Sequence, residues 1–391
     1  MNFILTDGEY KDALLPFTYT RPVAGIRIGI LTIAEKWEKH LGQEVSYLTD
    51  NYLSEKFPLT KTDYNVVITA SYLPTPALVN AVKNLEIGQA LFLEGAVVAY
   101  ATKSLEQPFS LSNYTSIAAK GVAITVKNTW DIFSKNAEAI QQDFDLLTKN
   151  RVSQPISSTN TVINPEQIFL EDGASVECSV LNASTGPIYI GKNATILEGC
   201  LIRGGLALGE GAVLKMGAKI YGPSTFGPYC KVGGEVNNAV LFAYSNKGHE
   251  GYLGNSVLGE WCNLGADTNT SNLKNNYAPV RLWDYKTEGF AHTGLQFCGL
   301  MMGDHSKSGI NTMFNTGTVV GVHANIFGTG FPRNFVPSYS WGGAAGFTTY
   351  RTNKAFETAK AMMGRRNIPF DKVEQDMYEY IFEQTKKWRK E

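Results

Sequence analysis

Between Cys230 and Lys274 the chain sets Lys231, Glu235, Lys247, His249, Tyr252, Asn263, Asn272 and Lys274 within a short stretch. These residue types together suit the acylation of an amine. A primary amine on a sugar is mostly protonated at neutral pH, so its attack on a thioester needs a base, and imidazole has the right unperturbed pKa. His249 is the candidate base, and Glu235 the carboxylate that would fix its tautomer. The collapsing tetrahedral oxyanion needs a donor, from a backbone amide or the Asn263 side chain. Lysines would hold a phosphate. Taken singly, each residue also has a plainer reading: His249 as a loop residue beside glycines, Tyr252 as packing, Lys231 and Lys247 as solvated side chains.

What must position these groups is a repeat. Ile190, Ile196, Ile202, Leu208, Leu214, Ile220, Phe226 and Val232 recur every sixth residue. With apolar residues at 43% of the chain, such a run has a chance of roughly one in a thousand per phase. A period of six fits neither alternation nor a helix; it means one inward side chain per short flat segment, the pattern of a hexapeptide β-helix. Small residues recur at the fifth position (Ala194, Cys200, Ala212, Ala218, Ser224, Cys230), where tight corners need them. The register returns at Met302, Ser308, Phe314, Val320 and Ile326. In a coil of three hexapeptides, residues about 18 apart stack, so distant residues can line one groove. The register breaks near Asn238 and a loop is expected from Tyr244, and loops inserted into a repeat usually carry function. A β-helix can equally be scaffold alone.

The string His249, Tyr252-Leu253-Gly254, Gly259-Glu260, Asn263-Leu264-Gly265-Ala266 resembles the acetyltransferase signature of the bifunctional N-acetylglucosamine-1-phosphate uridyltransferase/glucosamine-1-phosphate acetyltransferase family. The runs KMGAKIYG (Lys215 to Gly222) and SNLKNNY (Ser271 to Tyr277) resemble its Bacteroidetes-type branch. The resemblance implies a left-handed β-helix working as a homotrimer, with acetyl-coenzyme A between subunits. It implies His249 as base with Glu235 its partner, Tyr252 and Asn263 as amino-sugar contacts, and Arg203 and Lys215 on phosphate. Gly265, Ala266 and Gly309 would line the cofactor path. One departure stands out: where the better-known branch has a phosphate-contacting lysine after Glu235, this chain has Asn237 and Asn238. That leaves the amino sugar open.

The first half reads differently. Residues 1–150 hold 7 of the 38 glycines, and their apolar runs alternate as strands (Phe3 to Leu5, Glu44 to Leu48, Asn65 to Thr69, Ala90 to Leu93, Val97 to Tyr100) and helices (Ile30 to His40, Pro76 to Leu85, Asp131 to Leu147). An α/β domain is expected over 1–152, the β-helix over 153–345 and a helical extension over 346–391, with helices Lys354 to Arg365 and Asp371 to Lys390. A nucleotidyltransferase needs a backbone cradle for triphosphate, a cation for the leaving pyrophosphate and carboxylates for magnesium. The usual glycine-rich loop is missing after the first strand, where Thr6-Asp7-Gly8-Glu9-Tyr10 stands instead. Leu14-Leu15-Pro16-Phe17-Thr18-Tyr19-Thr20-Arg21-Pro22 resembles the later part of that fingerprint, and with Gly25 to Trp37 it again resembles the Bacteroidetes-type branch. If this half binds nucleotide, Arg21, Arg27 and Lys36 are the cations, and Asp7 a ligand for Mg2+.

A formal charge of −1 without a long basic run argues against nucleic acid or an anionic membrane. Five scattered cysteines with no CxxC pair read as small interior residues. A cytoplasmic enzyme taking a sugar phosphate and a nucleoside triphosphate is expected. Two alternatives stay open: a sugar-1-phosphate thymidylyl- or uridylyltransferase whose coil only assembles the trimer, and a silent scaffold or sugar-nucleotide sensor.

Overall fold

The computed structural model describes residues 1–105 and 110–389. Strands β1 (Asn2–Thr6), β2 (Ser46–Leu48), β3 (Asn65–Thr69), β4 (Gln89–Leu93), β5 (Ala96–Thr102) and β6 (Thr115–Ala118) form one sheet, in the order β2-β1-β3-β5-β4-β6. β1 runs parallel to β2 and β3, and β5 antiparallel to β3 and β4. β6 is exposed along its whole length, so apolar patterning gave no sign of it. Helix α1 (Ile33–Leu41) begins later than its apolar run because Thr32 and Glu35 close a capping box: Glu35 N–H donates to Thr32 Oγ1 at 3.2 Å and Thr32 N–H to Glu35 Oε2 at 2.6 Å. α2 (Pro76–Lys83) starts on its proline. The single helix expected from Asp131 is two, α3 (Asp131–Ser134) and α4 (Asn136–Thr148). At the start of α4, Asn136 is turned to the solenoid: its Oδ1 accepts from Gly29 N–H at 2.7 Å and its Nδ2 donates to Pro223 O at 3.0 Å.

Residues 161–342 build a parallel β-solenoid of about ten turns. All eight hexad residues from Ile190 to Val232 are buried, as are the small residues at the fifth positions. Coils stack 18 residues apart, as Thr195 on Val213 and Val213 on Lys231. The break near Asn238 is a contraction: Lys231 stacks on Asn246, and Asn246 on Asn263, so the coil shortens without opening a loop at Tyr244. A deletion shifts the phase of a repeat as an insertion does, and sequence spacing alone does not tell them apart. The real insertion comes later, where Leu258 stacks on Met302 and the intervening chain makes the antiparallel pair Arg281–Asp284 and Gly289–His292.

One corner of the solenoid requires left-handed backbone in turn after turn: Asn193, Gly211, Tyr229, Tyr244, Trp261, His305, His323 and Tyr339 all have φ between 53° and 60°. Left-handed backbone costs a non-glycine residue roughly 1–2 kcal/mol. From Tyr229 onward stacking offsets it, with ring centroids 5.5 Å apart for Tyr229–Tyr244, 4.2 Å for Tyr244–Trp261 and 4.6 Å for His305–His323.

Helices α5 (Thr352–Gly364) and α6 (Lys372–Gln384) fold back on their own chain. The expected end of the last helix, Lys390, lies outside the described residues. Met377, Tyr378 and Ile381 join one core with the first domain and with Val240, Phe242 and Val257 of the solenoid, and Leu282 of the insertion is part of it. No helix among the described residues is long and apolar enough to cross a membrane. Cys200, Cys230, Cys262 and Cys298 are buried and free; Cys178 is free and exposed.

Candidate active site

A cavity of about 480 Å³ opens on the solenoid, lined by Lys215, Lys231, His249 and Asn263, with Tyr244 and Trp261 of the ring ladder as its wall. The coil explains the convergence. Lys231, Asn246 and Asn263 are successive rungs of one ladder, and Lys215 lies one coil before Lys231. His249 is exposed at the corner between this face and the next. That corner is tight: a Cβ on Gly234 would lie 2.7 Å from His249 O, and one on Gly233 would lie 2.9 Å from Gly248 O. The far side of the cavity is formed by the end of α5, through Met362, Arg365 and Arg366. Sequence reading missed these two arginines, since no periodicity ties α5 to a coil more than a hundred residues upstream. Burial, with the nearby Arg366, Lys215 and Arg365, holds the Lys231 amine below its usual pKa.

Lys247, expected on phosphate, does not reach the cavity. It occupies an inward rung above Val232, is 2% exposed, and its Nζ donates to His249 O at 2.5 Å. Burial pushes its amine down to about 8. Its role is to hold the backbone at His249.

The other expected residues form a second group on the adjoining face. Glu235 stacks between Lys219 and Tyr252, and its carboxylate accepts from Tyr221 Oη at 2.5 Å; it makes no bond to His249. The Tyr252 hydroxyl accepts from Asn272 Nδ2 at 3.0 Å, and Asn272 also donates to Asn255 Oδ1 at 2.8 Å. A Cβ on Gly254 would lie 2.3 Å from the Tyr252 hydroxyl, so a larger residue there would displace the Tyr252–Asn272 pair. Arg203 is exposed on the same sheet, two coils earlier. Asn238 turns toward the first domain, its amide donating to Phe133 O of α3 at 2.9 Å and Pro223 O at 3.1 Å. Lys274 lies in the insertion two residues past Asn272, donating to Pro279 O at 3.1 Å. Gly265 and Gly309 are explained by coil contact: a Cβ on Gly265 would lie 2.6 Å from the Gly309 backbone. Ala266, beside them, is half-buried, and its carbonyl accepts from Asn311 N–H at 2.9 Å.

In the first domain the expected nucleotide cations are turned elsewhere. Arg21 is buried, its guanidinium donating to both Asp304 carboxylate oxygens at 3.1 and 2.5 Å and to Phe17 O at 3.2 Å. Burial opposes the Arg21 charge, but Asp304 and Glu260 outweigh it and the pKa is raised. Arg27 donates from Nε to Phe242 O at 3.0 Å and from Nη1 to Ile30 O at 2.6 Å. Lys36 is buried against Asp143, burial pushing the amine down and the carboxyl up. Asp7 accepts from Val23 N–H at 2.7 Å and Thr49 Oγ1 at 2.5 Å, with Lys11 Nζ 3.2 Å away. These residues are joints between domains and loops. The Asp7 carboxylate is thus engaged by the chain itself, and among the described residues no three or more His, Cys, Asp or Glu side chains are gathered as a metal site.

Residues 3–152 match the sugar nucleotidyl transferase family. The chain is similar to the bifunctional protein GlmU of Methanocaldococcus jannaschii, 33% identical over 87 residues, covering 22% of this chain and 21% of that protein. To GlmU of Synechococcus elongatus it is 22% identical over 257 residues, 60% of this chain and 52% of that one. The chain thus spans about half the length, or less, of these relatives. Among solved structures, the polySia-specific acetyltransferase NeuO aligns with 54% of this chain and 94% of its own, at 14% identity and a TM-score of 0.27. The Bacillus cereus N-acyltransferase AntD aligns with 57% and 96%, at 11% identity and a TM-score of 0.21.

Proposed function

We propose that the solenoid groove transfers an acetyl group from acetyl-coenzyme A to the amine of an amino-sugar phosphate of the glucosamine-1-phosphate type. The observation that carries this reading is the opening of His249 and Asn263 onto one cavity with the amines of Lys215 and Lys231. The similarity to the GlmU proteins supports it. The lysines hold the acceptor's phosphate and so place its amine beside the imidazole. His249 takes a proton from the amine, whose nitrogen bonds to the thioester carbonyl carbon. Asn263 or a backbone N–H donates to the resulting oxyanion. Collapse breaks the C–S bond, and the coenzyme leaves as the thiol with the proton returned by the imidazolium. Gly265, Ala266 and Gly309 mark the pantetheine path.

The homotrimer belongs to the same proposal. His249 stands at the corner between the groove and the face bearing Glu235, Tyr252 and Asn272, so a second subunit against that corner would enclose the reaction.

A second reading, sugar-1-phosphate nucleotidyl transfer in the first domain, is favoured by the family match over residues 3–152. It needs cations other than Arg21, Arg27 and Lys36. The test follows free-thiol release from acetyl-coenzyme A with glucosamine-1-phosphate, and pyrophosphate release with UTP or dTTP and a sugar-1-phosphate. His249→Ala is expected to abolish the first and leave any of the second intact; unchanged thiol release would remove His249 from the mechanism.

A further inference from the structure

The end of α5 brings two arginines to the groove, and among the described residues neither is paired with a carboxylate. A helix C-terminus favours cations, and a terminal arginine often does no more than satisfy the last carbonyls. Here the backbone does that work. Arg366 N–H and Ile368 N–H both donate to Met363 O, at 2.9 and 3.2 Å, and Asn367 N–H donates to Gly364 O at 3.1 Å, with Asn367 left-handed at φ 56°. The Arg365 side chain is exposed, and among the described residues no carboxylate pairs with it, with Lys215 or with Lys231. Arg366 is held over the Tyr229 ring, 6.0 Å from its centroid, with Nη2 3.4 Å from Tyr229 O. That anchor lies two residues before Lys231, so the helix end is docked on the coil that carries the groove lysine.

Four cations therefore meet across one cavity, two from the coil and two from the helix, and among the described residues no carboxylate lines it. Like charges gathered this way destabilise a fold unless a ligand balances them. A phosphate monoester carries about two negative charges, half of what these groups would neutralise. A pyrophosphate bridge carries the same two charges but spreads them over two phosphoryl groups, so each can meet cations from a different side of the cavity. We propose that Arg365 and Arg366, with Lys215 and Lys231, form a binding site for a pyrophosphate-linked ligand, a nucleoside diphosphate moiety. Two sources share this chemistry: the nucleotide of a nucleotide-activated amino sugar, and the ADP portion of coenzyme A. The inference deepens the groove reading above and rests on it for the identity of these sources, although the anion site itself does not depend on acetyl transfer.

Binding is measured by calorimetry on the full chain with orthophosphate, UDP, coenzyme A and pantetheine as probes. UDP or coenzyme A is expected to bind at least ~10-fold tighter than orthophosphate or pantetheine. The double variant Arg365→Ala/Arg366→Ala is expected to weaken that probe by at least ~30-fold, the range expected for losing charged hydrogen bonds, while orthophosphate changes by less than ~3-fold. A shift confined to UDP assigns the site to the acceptor's nucleotide, and one confined to coenzyme A assigns it to the ADP moiety. If the double variant lowers the melting temperature, the exposed single variant Arg365→Gln replaces it, with about tenfold weaker binding expected. Unchanged affinity for both diphosphates, or an equal loss for orthophosphate, would overturn the proposal. Shifted binding without any acetyl transfer would sink the acetyltransferase reading and leave this site standing. Normal transfer with unshifted binding would do the reverse.

Discussion

The molecule holds two sets of basic residues that look alike in the sequence and end in opposite situations. Arg21, Arg27 and Lys36 are buried at the joint of the first domain, each bonded to a carboxylate or a carbonyl. Lys215, Lys231, Arg365 and Arg366 line an open groove with no carboxylate among them. A buried cation is tolerable only when paired, and once paired it has little left to offer a ligand. An exposed cation facing other cations is poorly satisfied by its own protein and available to an anion. Chemistry is therefore expected where the charge is uncompensated, in the groove, and cohesion where it is compensated, at the joint.

The sharpest way to break this contrast is at the joint. Arg21→Ala should leave Asp304 buried and unpaired, a loss of about 3–5 kcal/mol in unfolding free energy, read by chemical denaturation. Unchanged stability with selective loss of pyrophosphate release would instead return Arg21 to a nucleotide site. In the groove the same kind of change should act on binding. Lys231→Ala is expected to raise KM for a phosphorylated amino-sugar acceptor about tenfold to a hundredfold and to shift stability by less than about 0.5 kcal/mol. A stability loss on the scale of the Arg21 variant would erase the distinction.

Lys247 sits between the two sets, buried like the joint cations but bonded to the backbone of the groove's histidine. Its amine, pushed down to about 8 from 10.5, binds its proton less readily folded than unfolded. Below about pH 8 the folded chain carries the full cost of the buried charge. Between about 8 and 10.5 the unfolded chain binds more protons, and stability rises with pH through that window. Lys247→Met should thus be more stable than the parent near pH 7 by about 1–2 kcal/mol, with the gain shrinking toward pH 10 and turnover reduced. Equal stability at pH 7 and 10 in both proteins would contradict this reading.

The solenoid was readable from sequence because its period maps distance along the chain onto neighbours in space. Every hexad residue from Ile190 to Val232 is interior, and Lys215, Lys231, His249 and Asn263 reach one cavity for the same reason. Where the coil contracts at Asn238, the period no longer predicts direction: Lys247 falls on an inward rung, and Glu235 faces Tyr221 rather than His249. The joint was unreadable because nothing in the local sequence of Arg21 announces Asp304, 283 residues away. Arg365 and Arg366 were missed for the same reason, since helix docking has no period.

Free-thiol release from acetyl-coenzyme A with glucosamine-1-phosphate, in the parent protein and in His249→Ala, decides whether the groove carries the acyl chemistry. His249 is exposed and outside every core, so the variant should keep its melting temperature while its rate falls at least ~100-fold. Thiol release at the parent rate in a folded His249→Ala protein would contradict the account.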